Sequence, residues 1–171
     1  MFKKTLIVWS ILTVCITVQS FVIVPVNDTD GPVHWYTFGE AVELQKKDPK
    51  MIMVDVYTSW CGPCKMMSAY TFGNPIIAQY LNAHFYPVKF NAETRDSVIF
   101  NGNVFINKNP EGTMRPVHEF AISILDGKLM YPSIVFLNED LLRAQTMQGY
   151  FKADQFEPIL KFFGSGFYLL F

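Results

Sequence analysis

The chain has 171 residues, with 14 Lys or Arg and 15 Asp or Glu, so its formal net charge is −1. This length is sufficient for one domain with a substantial core. The balanced charge excludes the electrostatic footprint of a nucleic-acid-binding protein. Half of the residues are apolar, and the N-terminal segment contributes heavily to that fraction.

The N-terminus has the pattern of an export signal. Residues 1–4 are a short basic start, and residues 5–26 contain no charge. The pattern predicts a signal peptide at residues 1–20, cleaved before Phe21. Two alternatives stay open: an uncleaved membrane anchor reaching to about residue 26, and a lipoprotein attached through Cys15. In all three cases we expect the protein to be exported, periplasmic or otherwise extracytoplasmic, and it would be membrane-anchored in the last two.

A folded domain is predicted to follow a short linker. Residues 27–32 are polar and turn-rich, as linkers are. Thr37 and Glu40 have the spacing of a capping box, which predicts a helix over residues 38–47. We expect the domain to extend over residues 33–163.

A two-cysteine motif lies between a predicted strand and a predicted helix. Residues 51–57 are apolar at nearly every position, a pattern typical of a strand buried on both faces of a sheet. Good helix formers occupy residues 64–70. The sequence WCGPCK at residues 60–65 therefore places Cys61 and Cys64 at a helix N-terminus, whose free N–H groups and dipole stabilise a thiolate. A thiolate attacks disulfides, so the motif predicts redox chemistry.

The rest of the chain alternates between helical and strand patterns. Asn74-Pro75 predicts a capped helix running to about residue 83. Asn101-Gly102, with apolar residues on both sides, predicts a β-hairpin at residues 98–106. The other predicted elements are strands at 85–90, 133–137 and 143–147, a helix at 117–125, a helix at 152–163 that contains Pro158, and an apolar tail at 164–171 that either packs on the domain or precedes further chain.

The cysteine segment resembles the active site of the thioredoxin family, and its match to WCGPCK is complete. The resemblance continues at Asp55, at Lys89 and at Tyr131-Pro132, and covers about residues 33–163. It implies an α/β thioredoxin-like fold, with a central mixed β-sheet flanked by helices. Ala69 departs from the family pattern, because thioredoxins usually carry a helix-kinking proline there.

The two cysteines have different predicted roles. Cys61 is first in the pair, nearest the helix end and expected to be exposed, so it is assigned as the nucleophile. Cys64 is expected to lie deeper and to resolve the mixed disulfide. The redox group is then the Cys61–Cys64 disulfide itself, with no other cofactor. Zinc binding is the alternative, but zinc needs four ligands and the sequence has no second CxxC or paired His.

Asp55 and Lys89 are predicted to assist Cys64. Both faces of the strand at residues 51–57 are apolar, so Asp55 should be buried unless it lies at a solvated strand end. A buried carboxylate becomes protonated unless it is paired. The resemblance places Lys89 near Asp55 and makes Asp55 the acceptor of the Cys64 proton.

A client-binding groove is predicted opposite the cysteines. The resemblance implies a cis peptide bond before Pro132, which turns the backbone of Tyr131 toward an extended client segment. Trp60, Gly62 and Pro63 complete the predicted binding set. Trp60 and Tyr131 are alternatively packing aromatics.

The chain is longer than a minimal thioredoxin because of an insertion at about residues 94–116, before the cis-proline loop. The predicted hairpin at residues 98–106 lies in this extra segment, away from every residue assigned to chemistry. We therefore predict that the hairpin is a recognition element.

The predicted function is thiol–disulfide exchange on exported proteins by a protein-disulfide oxidoreductase. Gly62-Pro63 resembles the reducing members of the family, since oxidising members usually place a His between the cysteines. The alternatives are a thiol oxidase or isomerase, and a client-binding module whose CxxC is incidental. The expected partners are disulfide-bonded client proteins and a membrane thiol electron donor, with no nucleic acid, and we expect a monomer.

Overall fold

A four-stranded mixed sheet forms the centre of the protein in a computed structural model that describes residues 32–170. The strands are β1 (Met51–Tyr57), β2 (Phe85–Asn91), β5 (Ser133–Leu137) and β6 (Arg143–Gln148), and β3 (Val98–Phe100) and β4 (Asn103–Phe105) form a separate hairpin. The sheet order is β2-β1-β5-β6, with β1 parallel to β2 and antiparallel to β5. This confirms the predicted α/β fold. The predicted signal or anchor lies outside the described residues.

Helices cover both faces of the sheet. They are α1 (Phe38–Gln45), α2 (Gly62–Met66) with a π-helical continuation (Met67–Thr71), α3 (Pro75–His84), α4 (Glu119–Ile124), α5 (Ala153–Gly164) and a 3₁₀ turn (Phe167–Leu170). Buried residues of α1 and α4 pack with Ile52, Val54 and Val56 on one face of β1. Those of α3 and α5 pack with Met51 and Met53 on the other. The uninterrupted apolar run of β1 is therefore explained by burial on two faces.

The active-site helix changes geometry halfway along its length. α2 continues directly into the π-helical turn, and Ala69 lies inside that turn. A Cβ added at Gly73 would collide with the carbonyl oxygen of Ala69, so the chain leaves the turn where a glycine permits close approach. The sequence predicted the helical extent but not this geometry. In thioredoxins a proline usually bends the helix at the position of Ala69. In this chain the helix departs from α geometry there through a π turn instead.

The hairpin of the insertion forms part of the core. Asn101 and Gly102 both have positive φ in its turn, which confirms the predicted hairpin. The rings of Phe100 and Phe105 lie 5.5 and 5.8 Å from the ring of Phe120 on α4. The inner face of the hairpin therefore completes the core over α4, a structural role that the sequence analysis did not assign.

The C-terminal half differs from the predictions in detail. α4 begins later than predicted because His118 is its N-cap, with Nδ1 accepting the N–H of Phe120 at 3.0 Å. α5 continues through Pro158. The apolar tail packs on the domain, since the ring of Tyr168 lies 5.8 Å from that of Phe163. Across residues 32–170, no helix is both long enough and apolar enough to span a bilayer.

Candidate active site

The two cysteines lie in the first turn of α2 and form a disulfide. Cys61 is the N-cap, and its Sγ accepts the backbone N–H of Cys64 at 3.1 Å. The two Sγ atoms are 2.08 Å apart and the Cα atoms 5.3 Å apart. Pro63 occupies the first turn, where its missing N–H removes no helical hydrogen bond. This confirms the predicted position of the pair at a helix N-terminus.

The expected exposure of Cys61 is wrong for the disulfide form. Cys61 is 4% exposed and Cys64 is 5% exposed, so neither lies clearly deeper. As the N-cap, Cys61 turns its sulfur inward to accept a hydrogen bond from the helix, which withdraws it from solvent. Any molecule that reacts with Cys61 in this form must therefore reach a sulfur that is almost fully buried.

A buried ion pair joins two neighbouring strands. Asp55 on β1 and Lys89 on β2 are direct partners in the parallel register. Lys89 Nζ lies 3.2 Å from Asp55 Oδ2. Asp55 is 2% exposed, which excludes a solvated strand end, and its Oδ1 has no partner within residues 32–170. Burial raises the pKa of Asp55 above its ordinary value, and Lys89 opposes that rise.

Lys89 connects this pair to the helix that carries Cys64. Its Nζ donates a hydrogen bond to Ser68 Oγ at 3.1 Å and lies 4.7 Å from the ring centroid of Trp35. A cavity of about 130 Å³ is lined by Cys64, Ser68 and Lys89, among others. Cys64 and the lysine of the ion pair therefore line one small cavity, whereas Asp55 does not line it.

Trp60 is contacted from three directions. Its Nε1–H donates to Glu93 Oε1 at 2.8 Å. The ring of Tyr131 meets it edge-on, with centroids 6.3 Å apart, and the guanidinium carbon of Arg115 lies 4.3 Å from a ring centroid. The peptide bond between Tyr131 and Pro132 is cis, as predicted.

The sequence analysis missed Glu93 and Arg115. Arg115 belongs to the insertion but lies outside the hairpin at residues 98–106, so the prediction that the hairpin is a recognition element is untouched by this contact. No local pattern singles out either residue, because their contacts with Trp60 join parts of the chain that are distant in sequence. The sequence-predicted residues are otherwise brought together in two groups. Trp60, which precedes the turn that holds Gly62, Pro63 and the cysteines, meets the ring of Tyr131, and Asp55 pairs with Lys89.

No metal centre accompanies the cysteines in the described part of the chain. Residues 32–170 contain no group of three His, Cys, Asp or Glu side chains that could hold a metal ion. Nothing in this region supports the zinc alternative. The arrangement supports thiol–disulfide exchange, because it combines a pair of cysteines three positions apart with the free N–H donors of a helix N-terminus.

A family model, Thioredox_DsbH, described as "Protein of unknown function, DUF255", matches residues 23–109, just over half of the chain. The chain belongs to this DsbH-type thioredoxin family. A rat (Rattus norvegicus) protein, Spermatogenesis-associated protein 20, is 40% identical over 69 residues, which are 40% of this chain but 9% of the rat protein. This DsbH-type chain thus matches only a small part of that longer relative.

Solved structures show the same fold. A thioredoxin from Thermus thermophilus has a TM-score of 0.57 at 21% identity, covering 77% of this chain and 86% of its own. A structure described as "DsbH Oxidoreductase" has a TM-score of 0.53 at 17% identity, covering 78% and 85%. These similarities establish that the DsbH-type chain has the thioredoxin fold.

Proposed function

We propose that this chain is a protein-disulfide oxidoreductase that reduces disulfides in exported proteins. The observation that carries the proposal is the Cys61–Cys64 pair at a helix N-terminus, where Cys64 lines a small cavity together with Lys89, the ion-pair partner of Asp55. The reducing direction is supported by Gly62-Pro63 between the cysteines. Export is supported by the basic start and uncharged run of the N-terminus.

The proposed reaction begins with reduced protein. The thiolate of Cys61 attacks one sulfur of a client disulfide, forms a new S–S bond with it and releases the other client sulfur as a thiolate. Cys64 then attacks Cys61 Sγ and displaces the second client sulfur, while the Cys64 proton passes to Asp55. Two electrons have moved to the client, and the Cys61–Cys64 disulfide has formed.

Asp55 suits the role of proton acceptor because burial raises its pKa. Lys89 limits this rise and stabilises the charged form, so Asp55 can take up a proton and release it again. A dithiol reductant must then return two electrons to the pair. We propose a membrane thiol electron donor for this step and disulfide-bonded exported proteins as the clients, with the chain acting as a monomer.

Insulin reduction with dithiothreitol as the electron source tests the activity. Cys61→Ser should remove nearly all turnover because the attacking sulfur is gone. Cys64→Ser should accumulate mixed disulfides with clients, since resolution fails. The roles are inverted if Cys61→Ser stays active while Cys64→Ser is inactive.

Equilibration with thiol–disulfide buffers tests the direction. A reductase should have a reduction potential near that of thioredoxin, about −270 mV, whereas strong oxidants lie at about −120 mV. A value near or above about −180 mV would favour an oxidase or isomerase instead. If a variant with both cysteines changed to Ser keeps its clients and wild-type protein reduces nothing, the chain is a binding module.

A further inference from the structure

The insertion places an arginine on the aromatic ring next to the nucleophile. The guanidinium carbon of Arg115 lies 4.3 Å from a ring centroid of Trp60, which directly precedes Cys61. Arg115 is exposed, and Trp60 is 47% exposed. This cation therefore borders the surface that an approaching client must meet.

The N–H donors of the Arg115 guanidinium are available for a further hydrogen-bond acceptor. Among residues 32–170, its side chain forms neither a hydrogen bond nor an ion pair; its contact is with the ring. A cation over an aromatic face interacts through its charge and leaves its N–H groups available. Arg115 thus presents a planar set of N–H donors, the geometry that suits a carboxylate.

Glu93, which contacts the same indole ring, does not pair with Arg115. Glu93 approaches the same indole, but one of its oxygens accepts the Trp60 Nε1–H, and it forms no ion pair with Arg115. On the helix side, Lys65 is an exposed cation next to Cys64. The charge of Arg115 therefore has no ion-pair partner among residues 32–170 and is available to a ligand.

The backbone of Arg115 is held in a costly conformation. Its φ is +56°, in the left-handed region. A residue with a Cβ is destabilised by about 1–2 kcal/mol in the left-handed region, whereas glycine is not. Strain that persists beside a reactive group points to a functional constraint. At this position the constraint is the placement of a cation over Trp60.

We propose that Arg115 is a specificity-determining residue that binds a carboxylate of the client near the disulfide under attack. This inference rests on the proposed function and names its substrate class: disulfides flanked by Asp or Glu. The guanidinium would position the acidic segment over Trp60, so that a client sulfur reaches Cys61.

Two chromogenic disulfides of similar shape and different charge test this proposal. 5,5′-Dithiobis(2-nitrobenzoic acid) carries two carboxylates, and 2,2′-dithiodipyridine carries none at neutral pH. Stopped-flow absorbance gives the rate at which fully reduced protein attacks each. The quantity compared is the ratio of the anionic rate to the neutral rate, because it cancels changes in the thiolate itself.

Substitutions at Arg115 should change that ratio. Arg115→Asn removes the charge and keeps a residue type that tolerates positive φ; it should lower the ratio about two- to five-fold, as expected for one exposed charge contact. Arg115→Glu should lower it further, and Arg115→Lys should retain part of it. Lys108→Asn is the matched control, since Lys108 is a 70% exposed cation of the same insertion that pairs with Glu119 instead; its ratio should match wild type. High salt should reduce the differences in this ratio between the variants, because it screens exposed charges.

Disulfide-linked peptides with Glu or Lys beside the cysteine should repeat the pattern, with the Glu peptide favoured only when Arg115 is present. Equal changes in both chromogenic rates, or no change in the ratio, would overturn the proposal and leave Arg115 as a support for Trp60. If wild-type protein and Cys61→Ser react alike with both probes, the proposed thiol–disulfide activity itself fails.

Discussion

Replacing Asp55 by Asn removes a charge from the interior while keeping the side-chain shape. Asp55 is 2% exposed, and its Oδ1 has no partner within residues 32–170. Both the carboxylate and an amide of the same shape would leave that oxygen without a partner, but burial costs a charged group more than a neutral one. The remaining partner, Lys89, is not stranded, because its side chain is 25% exposed and still donates to Ser68. We therefore expect Asp55→Asn to raise the free energy of unfolding by about 1–3 kcal/mol above neutral pH.

The gain in stability should depend on pH with a defined sign. The pKa of folded Asp55 is raised above its ordinary value of 3.8, so the folded state binds more protons than the unfolded state between those two values. Ionisation of Asp55 therefore lowers stability as the pH rises from 3.8 through the folded pKa. Urea unfolding across that window should show the gain from Asp55→Asn growing with pH and disappearing at acidic pH.

Asp126→Asn provides a matched control for the stability measurement. Asp126 is 61% exposed and forms an ion pair with Arg143. Substituting Asp126 therefore removes only a surface interaction, which contributes little to stability. Its pKa is lowered by the hydrogen bond from Arg143, so its substitution should show no gain at high pH. A loss of stability in Asp55→Asn at every pH would refute the argument from burial.

The kinetic consequence of Asp55→Asn separates a base from a structural residue. The first attack by Cys61 should be nearly unchanged, because Asp55 is proposed to accept the proton of Cys64 and not that of Cys61. Resolution by Cys64 should slow by about 10²–10⁴-fold, since its proton has lost its acceptor. Stopped-flow kinetics with a chromogenic disulfide resolves the two steps. Equal slowing of both steps, or of neither, would show that another group accepts the proton.

Three further predictions concern other regions of the chain. Burial lowers the pKa of His118 below 6.5, so the free energy of unfolding should fall as the pH drops from 6.5 to the pKa of folded His118. His118→Asn keeps a side-chain acceptor at the N-cap and removes the titrating group. Urea unfolding of this variant should therefore show a flatter dependence on pH in that range. Phe100→Ala should lower the free energy of unfolding by about 3 kcal/mol, whereas Ile99→Ala, at a 67% exposed position, should change it by less than about 1 kcal/mol in the same assay. N-terminal sequencing of the exported protein should begin near Phe21; an uncleaved cytoplasmic protein would contradict the export assignment.

Short-range patterns in the sequence determined the elements and the position of the cysteine pair. The apolar run of β1 requires two covered faces, so it predicts a central strand, and Asn101-Gly102 specifies a hairpin turn. WCGPCK sets Cys61 and Cys64 three positions apart across one helical turn, a relation internal to six residues. These inferences succeed because the physical cause lies within a few residues of its effect.

Only the tertiary structure decided what surrounds the pair. The ion pair of Asp55 and Lys89 depends on the register of β1 against β2, which the family resemblance suggested but local sequence does not encode. The burial of Cys61 follows from a hydrogen bond whose direction no pattern specifies. The approach of Arg115 to Trp60 depends on how an insertion folds back over the domain. Such contacts arise when the core positions distant segments against one another, because packing, rather than propensity, selects which side chains meet.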